Sequence, residues 1–167
     1  MKKYVPLISL SLIICLVIYV FYRSDKTVIN QMVIALVSRD SYHHWKTIIC
    51  DLLPLQDYFI YSLPEGLWVF CITITSSFFR INFLWYRVEA AVFPLTLAFG
   101  MELCQLLHIC NGRFDWVDLL FSFVFWWVAF HFTEAGPEKR SLRLRASFNS
   151  LSCLFSYSIV YLAHVIN

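Results

Sequence analysis

Polar and ionisable side chains are concentrated in residues 102–118, within sequence that is otherwise apolar enough to cross a membrane. They are Glu102, Gln105, Arg113, Asp115 and Asp118. An ionisable side chain within hydrocarbon costs roughly 3 kcal/mol or more unless it has a partner, so such residues generally mark functional sites. Carboxylates beside an arginine can bind a polar head group, hold a phosphate or act as general bases.

Glu102 and Gln105 are spaced as i and i+3, which places them on one face of a helix. One interpretation is that the carboxylate and the amide point into a cavity of a helix bundle, where they bind a head group or relay a proton. The other is that both hydrogen-bond to neighbouring helices and hold the bundle together. We favour the functional interpretation because a buried glutamate is costly in lipid.

Arg113, Asp115 and Asp118 lie around the start of the next apolar segment. Asp115 can cap free N–H groups there, and Asp118 falls in the first helical turn, near the positive end of the helix dipole. Arg113 either neutralises one of the acids or faces outward to bind a phosphate or carboxylate. Glu65 follows Pro64 and suits the first turn of a helix as well as a pocket. The candidate ligand-binding residues are therefore Glu65, Glu102, Gln105, Arg113, Asp115 and Asp118, with Glu102 and Asp118 as candidate catalytic bases.

Composition places the chain in lipid. It is 60% hydrophobic and 14% charged, against about 25% charged in a soluble domain. The net charge of +2 gives no reason to expect nucleic acid as a partner. His43, His44 and His108 lack metal-ligand spacing, and no nucleotide-binding or nucleophile motif occurs, so we expect neither a metal nor a cofactor. Among the cysteines, Cys50 and Cys110 can both face outward, which allows a disulfide.

The apolar segments predict a single-domain, all-α membrane bundle of about five transmembrane helices over residues 1–167. The predicted spans are residues 5–22, 66–85, 90–109, 116–132 and 148–166. The first is long and no cleavage site of small residues follows it, so we interpret it as a retained helix and not as a signal peptide. Pro94 and Gly100 are expected to bend the third span.

Residues 23–64 form the longest polar stretch. Within it, residues 28–37 are apolar but too few to span a membrane, so we expect a short helix at the interface. Tyr42, Trp45, Tyr58 and Tyr61 are then amphipathic anchors at the level of the lipid head groups.

Lysine and arginine indicate the orientation, because cytoplasmic loops carry more of them. With the N-terminus inside, the cytoplasmic side holds Lys2, Lys3, Arg80, Arg87, Lys139, Arg140, Arg143 and Arg145. The outer side then holds Arg23, Lys26, Arg39, Lys46 and Arg113. We therefore expect a multi-pass membrane protein with a cytoplasmic N-terminus. Residues 102–118 and the segment around Glu65 would then converge at the outer face.

This pattern resembles the VanZ-like family of bacterial membrane proteins. The matching elements are Glu102-x-x-Gln105, followed by Gly112-Arg113-Phe114-Asp115-x-x-Asp118. Leu63-Pro64-Glu65-x-Leu67-Trp68 looks like a motif of the Bacteroidetes-type branch of that family. The family commonly has an asparagine and a glycine one and two turns beyond the last aspartate, where this chain has Ser122 and Phe125. The resemblance covers mainly residues 57–130. It implies a multi-pass helix bundle of a bacterial inner membrane, linked to susceptibility to the glycopeptide teicoplanin.

Three functions fit these residues. The favoured one is an outward-facing polar pocket that binds an envelope lipid or a lipid-linked cell-wall precursor and influences glycopeptide susceptibility. The second is an intramembrane enzyme acting on a lipid head group, with Glu102 or Asp118 as general base and Arg113 holding phosphate. The third is a structural subunit of a larger assembly, in which the polar residues are caps and interhelical contacts.

Overall fold

The computed structural model describes residues 2–83, 86–110, 113–133 and 140–141. Six α-helices make up most of this part of the chain: α1 (Val5–Tyr22), α2 (Val28–Val37), α3 (Arg39–Leu52), α4 (Asp57–Ser76), α5 (Phe93–Leu106) and α6 (Trp116–Phe132). A single turn of 3₁₀-helix at Lys2–Tyr4 precedes α1, and another at Ala90–Val92 precedes α5. Three short strands also occur: β1 (Phe79–Phe83), β2 (Tyr86–Glu89) and β3 (Arg140–Ser141).

The helical class is confirmed, and several predicted bounds agree with the observed helices. The segments predicted over 5–22, 28–37 and 116–132 are α1, α2 and α6. The third predicted span, 90–109, is helical only to Leu106. Pro94 lies in the first turn of α5. Backbone N–H groups there have no partner within the helix, so the proline costs no hydrogen bond and marks the start of the helix instead of a bend. The predicted span 148–166 lies outside the described residues.

The second predicted span, 66–85, is wrong at both ends. α4 begins at Asp57, whose acidic side chain in the first turn suits the positive end of the helix dipole. It passes through Pro64 and ends at Ser76. The earlier start matters for function, because Glu65 lies well inside the helix and not in its first turn.

A short sheet follows α4, which the prediction lacked. β1 and β2 form an antiparallel hairpin, and β3 pairs with β1 in parallel, giving the order β2-β1-β3. The residues of β1 alternate between apolar and polar, which is the two-residue period of a strand. The general apolarity of residues 66–85 conceals this period and makes the segment look like one long helix.

Two of the described helices, α1 and α4, are long and apolar enough to cross a membrane, judged by length and composition alone. The segment Ala90–Leu106 and α6 are also apolar but shorter. α1 is mostly exposed within the fold, whereas α4 is mostly buried.

Helix α4 is the centre of the bundle and contacts α1, α5 and α6. All of its residues from 66 to 76 are buried, as expected for a helix that is apolar on every side. One cluster joins α4 to the N-terminus and to α6 through Tyr4, Phe70, Cys71, Ile74 and Ala129. A second joins it to α5 through Trp68, Val69, Ile72 and Ala98.

Close approach of α4 and α6 depends on a glycine. A Cβ atom at Gly66 would lie 2.5 Å from Cδ2 of Phe125, closer than real Cβ contacts allow. Small residues that let helices approach are typical of helix packing in membranes, where burial of apolar surface gives little driving force. Phe125 therefore packs directly on the backbone of α4.

The end of α1 is capped by side chains from α2 and α3. Tyr42 Oη donates to Val20 O at 2.8 Å, and Asn30 Nδ2 donates to Tyr19 O at 3.1 Å. Lys46 Nζ donates to Arg23 O at 2.8 Å. The last carbonyls of a helix have no partner within it, so these bonds satisfy groups that would otherwise need water.

Residues 23–64 are thus more ordered than one short interfacial helix. Tyr42, expected as an interfacial anchor, is only 2% exposed and caps α1 instead. Trp45, Tyr58 and Tyr61 are exposed, so their side chains remain open to an interface. α3 was not predicted because its histidines and charged residues make it polar overall, although its apolar residues recur with the period of a helix.

Asp25 connects the capping side chains by an ion pair. Its Oδ1 accepts from Lys46 Nζ at 2.6 Å and from Tyr42 Oη at 3.2 Å. The hydrogen bond from Lys46 lowers the pKa of the Asp25 carboxyl below its ordinary value, against the opposing effect of desolvation. The side chain of Asp25 is 35% exposed, so water screens the pair.

Gly66→Ala should destabilise the bundle, because the added methyl group meets Phe125. We expect the free energy of unfolding to fall by about 1–3 kcal/mol, the usual cost of overpacking. Thermal unfolding of the purified protein in detergent measures this. Gly100→Ala is the matched control, since nothing lies within 4 Å of its added Cβ. It should be neutral or stabilising by up to about 1 kcal/mol, and an equal loss in both variants would contradict the packing argument.

Asp25→Asn should cost stability at neutral pH but not in strong acid. Because the folded pKa of Asp25 is lowered, its contribution is present above the unfolded value of about 3.9 and is lost as pH falls through the folded value. We expect a difference from the parent protein of about 0.5–1 kcal/mol at pH 7. Unfolding curves between pH 2 and 7 test this, with exposed Asp51→Asn as control. A difference that persisted undiminished at pH 2 would exclude the ion pair as its cause.

Candidate functional site

Three carboxylates from three different helices meet at one place. Glu65 of α4, Glu102 of α5 and Asp118 of α6 each offer an oxygen atom, and these atoms all lie within 4.8 Å of one another. Glu102 is 3% exposed, and the other two are half-buried. We call these three residues the carboxylate triad. The structure thus brings together three residues that the sequence places in three separate motifs.

Glu65 lies near Glu102 and Asp118 because α4 begins nine residues before the predicted position 66, which places residue 65 inside the bundle. Its Oε1 accepts a hydrogen bond of 3.4 Å from Ser122 Oγ, one turn beyond Asp118 on α6. Ser122 is fully buried. Sequence reasoning noted Ser122 only as a departure from a family pattern. Its spacing of four residues from Asp118 was the available signal, because i and i+4 share a helix face.

Glu102 is held by one hydrogen-bond donor at the start of α6 and by another on its own helix, α5. Its Oε2 accepts from the backbone N–H of Asp115 at 3.1 Å. With its amide nitrogen turned toward the acceptors, Gln105 donates to Glu102 Oε1 at 3.3 Å and to the carbonyl of Arg113 at 3.1 Å. The predicted shared face of Glu102 and Gln105 is therefore confirmed. In this geometry Gln105 ties the end of α5 to the start of α6.

The two aspartates have different roles. Asp115 is the N-cap of α6, and its Oδ1 accepts from the N–H of Val117 at 2.9 Å, which confirms the predicted capping role. Its side chain is exposed and is not part of the triad. Asp118 lies in the first turn of α6, as predicted, and also contributes an oxygen to the triad.

Arg113 contributes to the site through its backbone. Its carbonyl accepts from Gln105, while its side chain is exposed. Among the described ion pairs, none joins the Arg113 guanidinium to Glu102 or Asp115. The arginine at this end that sequence reasoning missed is Arg23, after α1. Its guanidinium lies over the rings of Tyr19 and Tyr61 and donates to Tyr61 O, one turn before Glu65.

Electrostatic repulsion between the three carboxylates limits the charge that the triad can carry. Two unit charges 4.8 Å apart repel by about 3.5 kcal/mol at an effective dielectric constant of about 20. The hydroxyl of Ser122, the amide of Gln105 and the N–H of Asp115 donate hydrogen bonds but carry no positive charge. A cation or protons at the site would relieve the repulsion between ionised carboxylates at this spacing.

Two kinds of cation suit three carboxylate oxygens. A hard metal ion such as Mg²⁺ or Ca²⁺ takes oxygen ligands, and Glu65, Glu102 and Asp118 could hold one. An ammonium group is the other kind, because it presents three N–H donors to surrounding acceptors. No metal was expected from the sequence, since ligands supplied singly by three helices leave no spacing motif.

Glu102→Gln and Glu102→Ala should differ in stability. The glutamine can still accept from the Asp115 N–H and removes one charge from the triad, so we expect stability equal to or above that of the parent. The alanine leaves that N–H without an acceptor and should cost about 1–3 kcal/mol. Thermal unfolding in detergent distinguishes them. Equal losses in both variants would show that the ionised form of Glu102 itself holds the bundle together.

Comparison of the chain with protein-family models, with curated proteins and with solved structures gave no match.

Proposed function

We propose that this chain is a multi-pass protein of a bacterial inner membrane, VanZ-like in type, whose carboxylate triad binds an envelope lipid or lipid-linked precursor. The group recognised is the positively charged, amine-bearing part of that molecule. The observation that carries the proposal is the convergence of Glu65, Glu102 and Asp118 from three helices of an apolar bundle. The proposal combines two steps, the membrane location and the choice of ligand.

The membrane location is supported by the exposed surface as well as by α1 and α4. Large apolar side chains remain exposed along α1, α5 and α6: Leu10, Ile13, Leu16, Phe93, Phe99, Leu103, Trp116, Leu120 and Trp127. Monomeric soluble proteins rarely expose large contiguous apolar patches. Lipid chains would cover these side chains, with 148–166 as a fifth span beside α1, α4, α5 and α6.

The orientation is supported by the two ends of the bundle. Tyr4 Oη donates to Phe132 O, so the N-terminus and the end of α6 lie together, at the same end as the hairpin between α4 and α5. That end carries Lys2, Lys3, Arg80 and Arg87, as expected of a cytoplasmic side. The triad lies near the opposite end, which would face the outside, where envelope lipids and precursors are exposed.

An amine-bearing ligand fits better than an anionic one. The triad brings three acidic side chains together, and the Arg113 side chain is exposed. A phosphate alone would add to the repulsion, whereas an ammonium group would relieve it. The lipid chains attached to such a head group would lie along the apolar faces of α5 and α6. By its resemblance to VanZ-like proteins, binding of a precursor in this way would influence teicoplanin susceptibility.

Lipid binding tests the proposal. Detergent-purified protein should be stabilised by added phosphatidylethanolamine, which carries an ammonium group, and not by phosphatidylglycerol, which lacks one. A ligand at 100 times its dissociation constant stabilises by about 2.7 kcal/mol, enough to shift the melting temperature by several degrees. In Glu102→Gln, the lipid concentration required for the same shift in melting temperature should rise at least tenfold. Asp57→Asn is the control, because its exposed acid belongs to α4 but not to the triad.

Two results would overturn the choice of ligand. Equal stabilisation by both lipids, undiminished in Glu102→Gln, would show that lipid acts only as solvent. Stabilisation by Mg²⁺ or Ca²⁺ alone, abolished by a chelator and by Glu102→Gln, would identify the triad as a metal site instead.

The closeness of the acids also supports a second candidate, an intramembrane enzyme acting on a lipid head group. Neighbouring carboxylates can share protons, and one can then act as general acid while another acts as general base. Glu102 or Asp118 would be the base. In that case Glu102→Gln should abolish turnover of a head-group substrate while lipid binding persists. Turnover retained in this variant would exclude Glu102 from the base role.

A further inference from the structure

The C-terminal end of α5 folds back so that Cys110 returns to Cys104. The N–H of Ile109 donates to the carbonyl of Cys104 at 2.8 Å, and the N–H of His108 donates to the carbonyl of Gln105 at 3.0 Å. These two bonds, with His108 at φ 56°, form a Schellman motif. The N–H of Cys110 also lies 3.3 Å from the Cys104 carbonyl. The turn therefore places the two cysteines side by side.

The distance between these cysteines suits a disulfide. A 3.3 Å bond from Cys110 N to Cys104 O limits the separation of the two Cα atoms to at most about 7 Å, close to the range of about 4.4–6.8 Å found in disulfides. The two thiols are near enough to interact as hydrogen-bonding partners. Cys110 is exposed and Cys104 is half-buried, so a reagent can reach the pair from the Cys110 side.

The other described cysteines are engaged elsewhere. Cys15 Sγ donates to Pro64 O, Cys71 Sγ to Ile8 O, and Cys50 Sγ to Phe21 O. Cys50 therefore points to the end of α1 and not toward Cys110, the partner that the sequence allowed for it. Cys153 lies outside the described residues.

We propose that Cys104 and Cys110 are a dithiol that forms a reversible disulfide by exchange with an external disulfide donor. The thiolate of Cys110 attacks one sulfur of the donor, whose S–S bond breaks and releases one thiol. The thiolate of Cys104 then attacks the mixed disulfide, which forms the Cys104–Cys110 bond and releases the second thiol. The two protons lost by the cysteines are taken up by the two donor thiols, and the donor is reduced as the protein is oxidised.

The disulfide would fix the edge of the triad. It closes a loop that contains Gln105, which holds both Glu102 and the Arg113 carbonyl. Locking the turn would therefore hold the start of α6 against the end of α5. The inference depends only on the geometry of the turn and not on the ligand of the triad, so it stands or falls separately from the proposed function.

Titration with oxidised glutathione followed by thiol alkylation and peptide mass mapping tests the proposal. We expect the wild-type protein to lose two free thiols and to yield one peptide linkage, between Cys104 and Cys110, which dithiothreitol reverses. Cys110→Ser should prevent the intramolecular linkage and leave Cys104 free or bound to glutathione. Cys50→Ser is the matched control and should oxidise like the wild type, because Cys50 contacts α1.

Two outcomes would overturn the proposal. Thiols that all remain free at concentrations of oxidised glutathione that oxidise a reference dithiol peptide would show that the pair does not react. A mapped linkage that joins Cys110 to Cys50 or to another cysteine would show that the turn does not hold the partners together. The wild-type protein alone decides both outcomes, so the test does not depend on the folding of a variant.

Discussion

Burial of α4 on nearly every side is the constraint on which the rest of the structure depends. A helix that packs simultaneously against α1, α5 and α6 has no free rotation about its axis, so each of its side chains has one fixed direction. Glu65 is thereby directed toward α5 and α6, where Glu102 and Asp118 lie. Gly66, the next residue, lets Phe125 approach the backbone of α4, and that contact sets the separation of α4 and α6 at the level of the triad. Packing and site are therefore consequences of the same helix contact.

The opposite face of α4 is bounded by α1, whose end is satisfied by side chains instead of water. Asn30, Tyr42, Lys46 and Cys50 supply donors for carbonyls of residues 19–23. In a bilayer, unpaired backbone groups cost several kcal/mol each, so this arrangement would let α1 end near the head groups without exposing carbonyls to lipid. The α2–α3 segment is then best understood as a cap for α1. It also brings Arg23 onto Tyr61, which places a guanidinium on the α1 side of the helix that carries Glu65.

Local patterns determined what could be predicted. The bounds of α1 and α6 follow from uninterrupted apolar runs with polar ends, and the N-cap role of Asp115 follows from its position before such a run. The pairing of Glu102 with Gln105 follows from helical spacing alone. The start of α4 and the buried role of Tyr42 depend on contacts with helices far away in sequence, so no local pattern reveals them. Likewise, the triad unites α4 with α5 and α6, and only tertiary packing shows that Glu65 and Ser122 face each other. β1 was missed because its alternation lies inside a generally apolar segment.

The carboxylate triad couples the packing of α4, α5 and α6 to the groups that neutralise its negative charge. Repulsion of about 3.5 kcal/mol per ionised pair is comparable to a large fraction of the stability of a small domain, so the contact between α4, α5 and α6 depends on how that repulsion is relieved. Protons and a bound cation are two ways to relieve it, and they would compete for the same carboxylate oxygens. Under the proposed function, binding of an ammonium group would therefore release protons and strengthen the contact between α4, α5 and α6. Because Glu102 also accepts from the N–H of Asp115, the N-cap of α6, this linkage would extend through Gln105 to the carbonyl of Arg113.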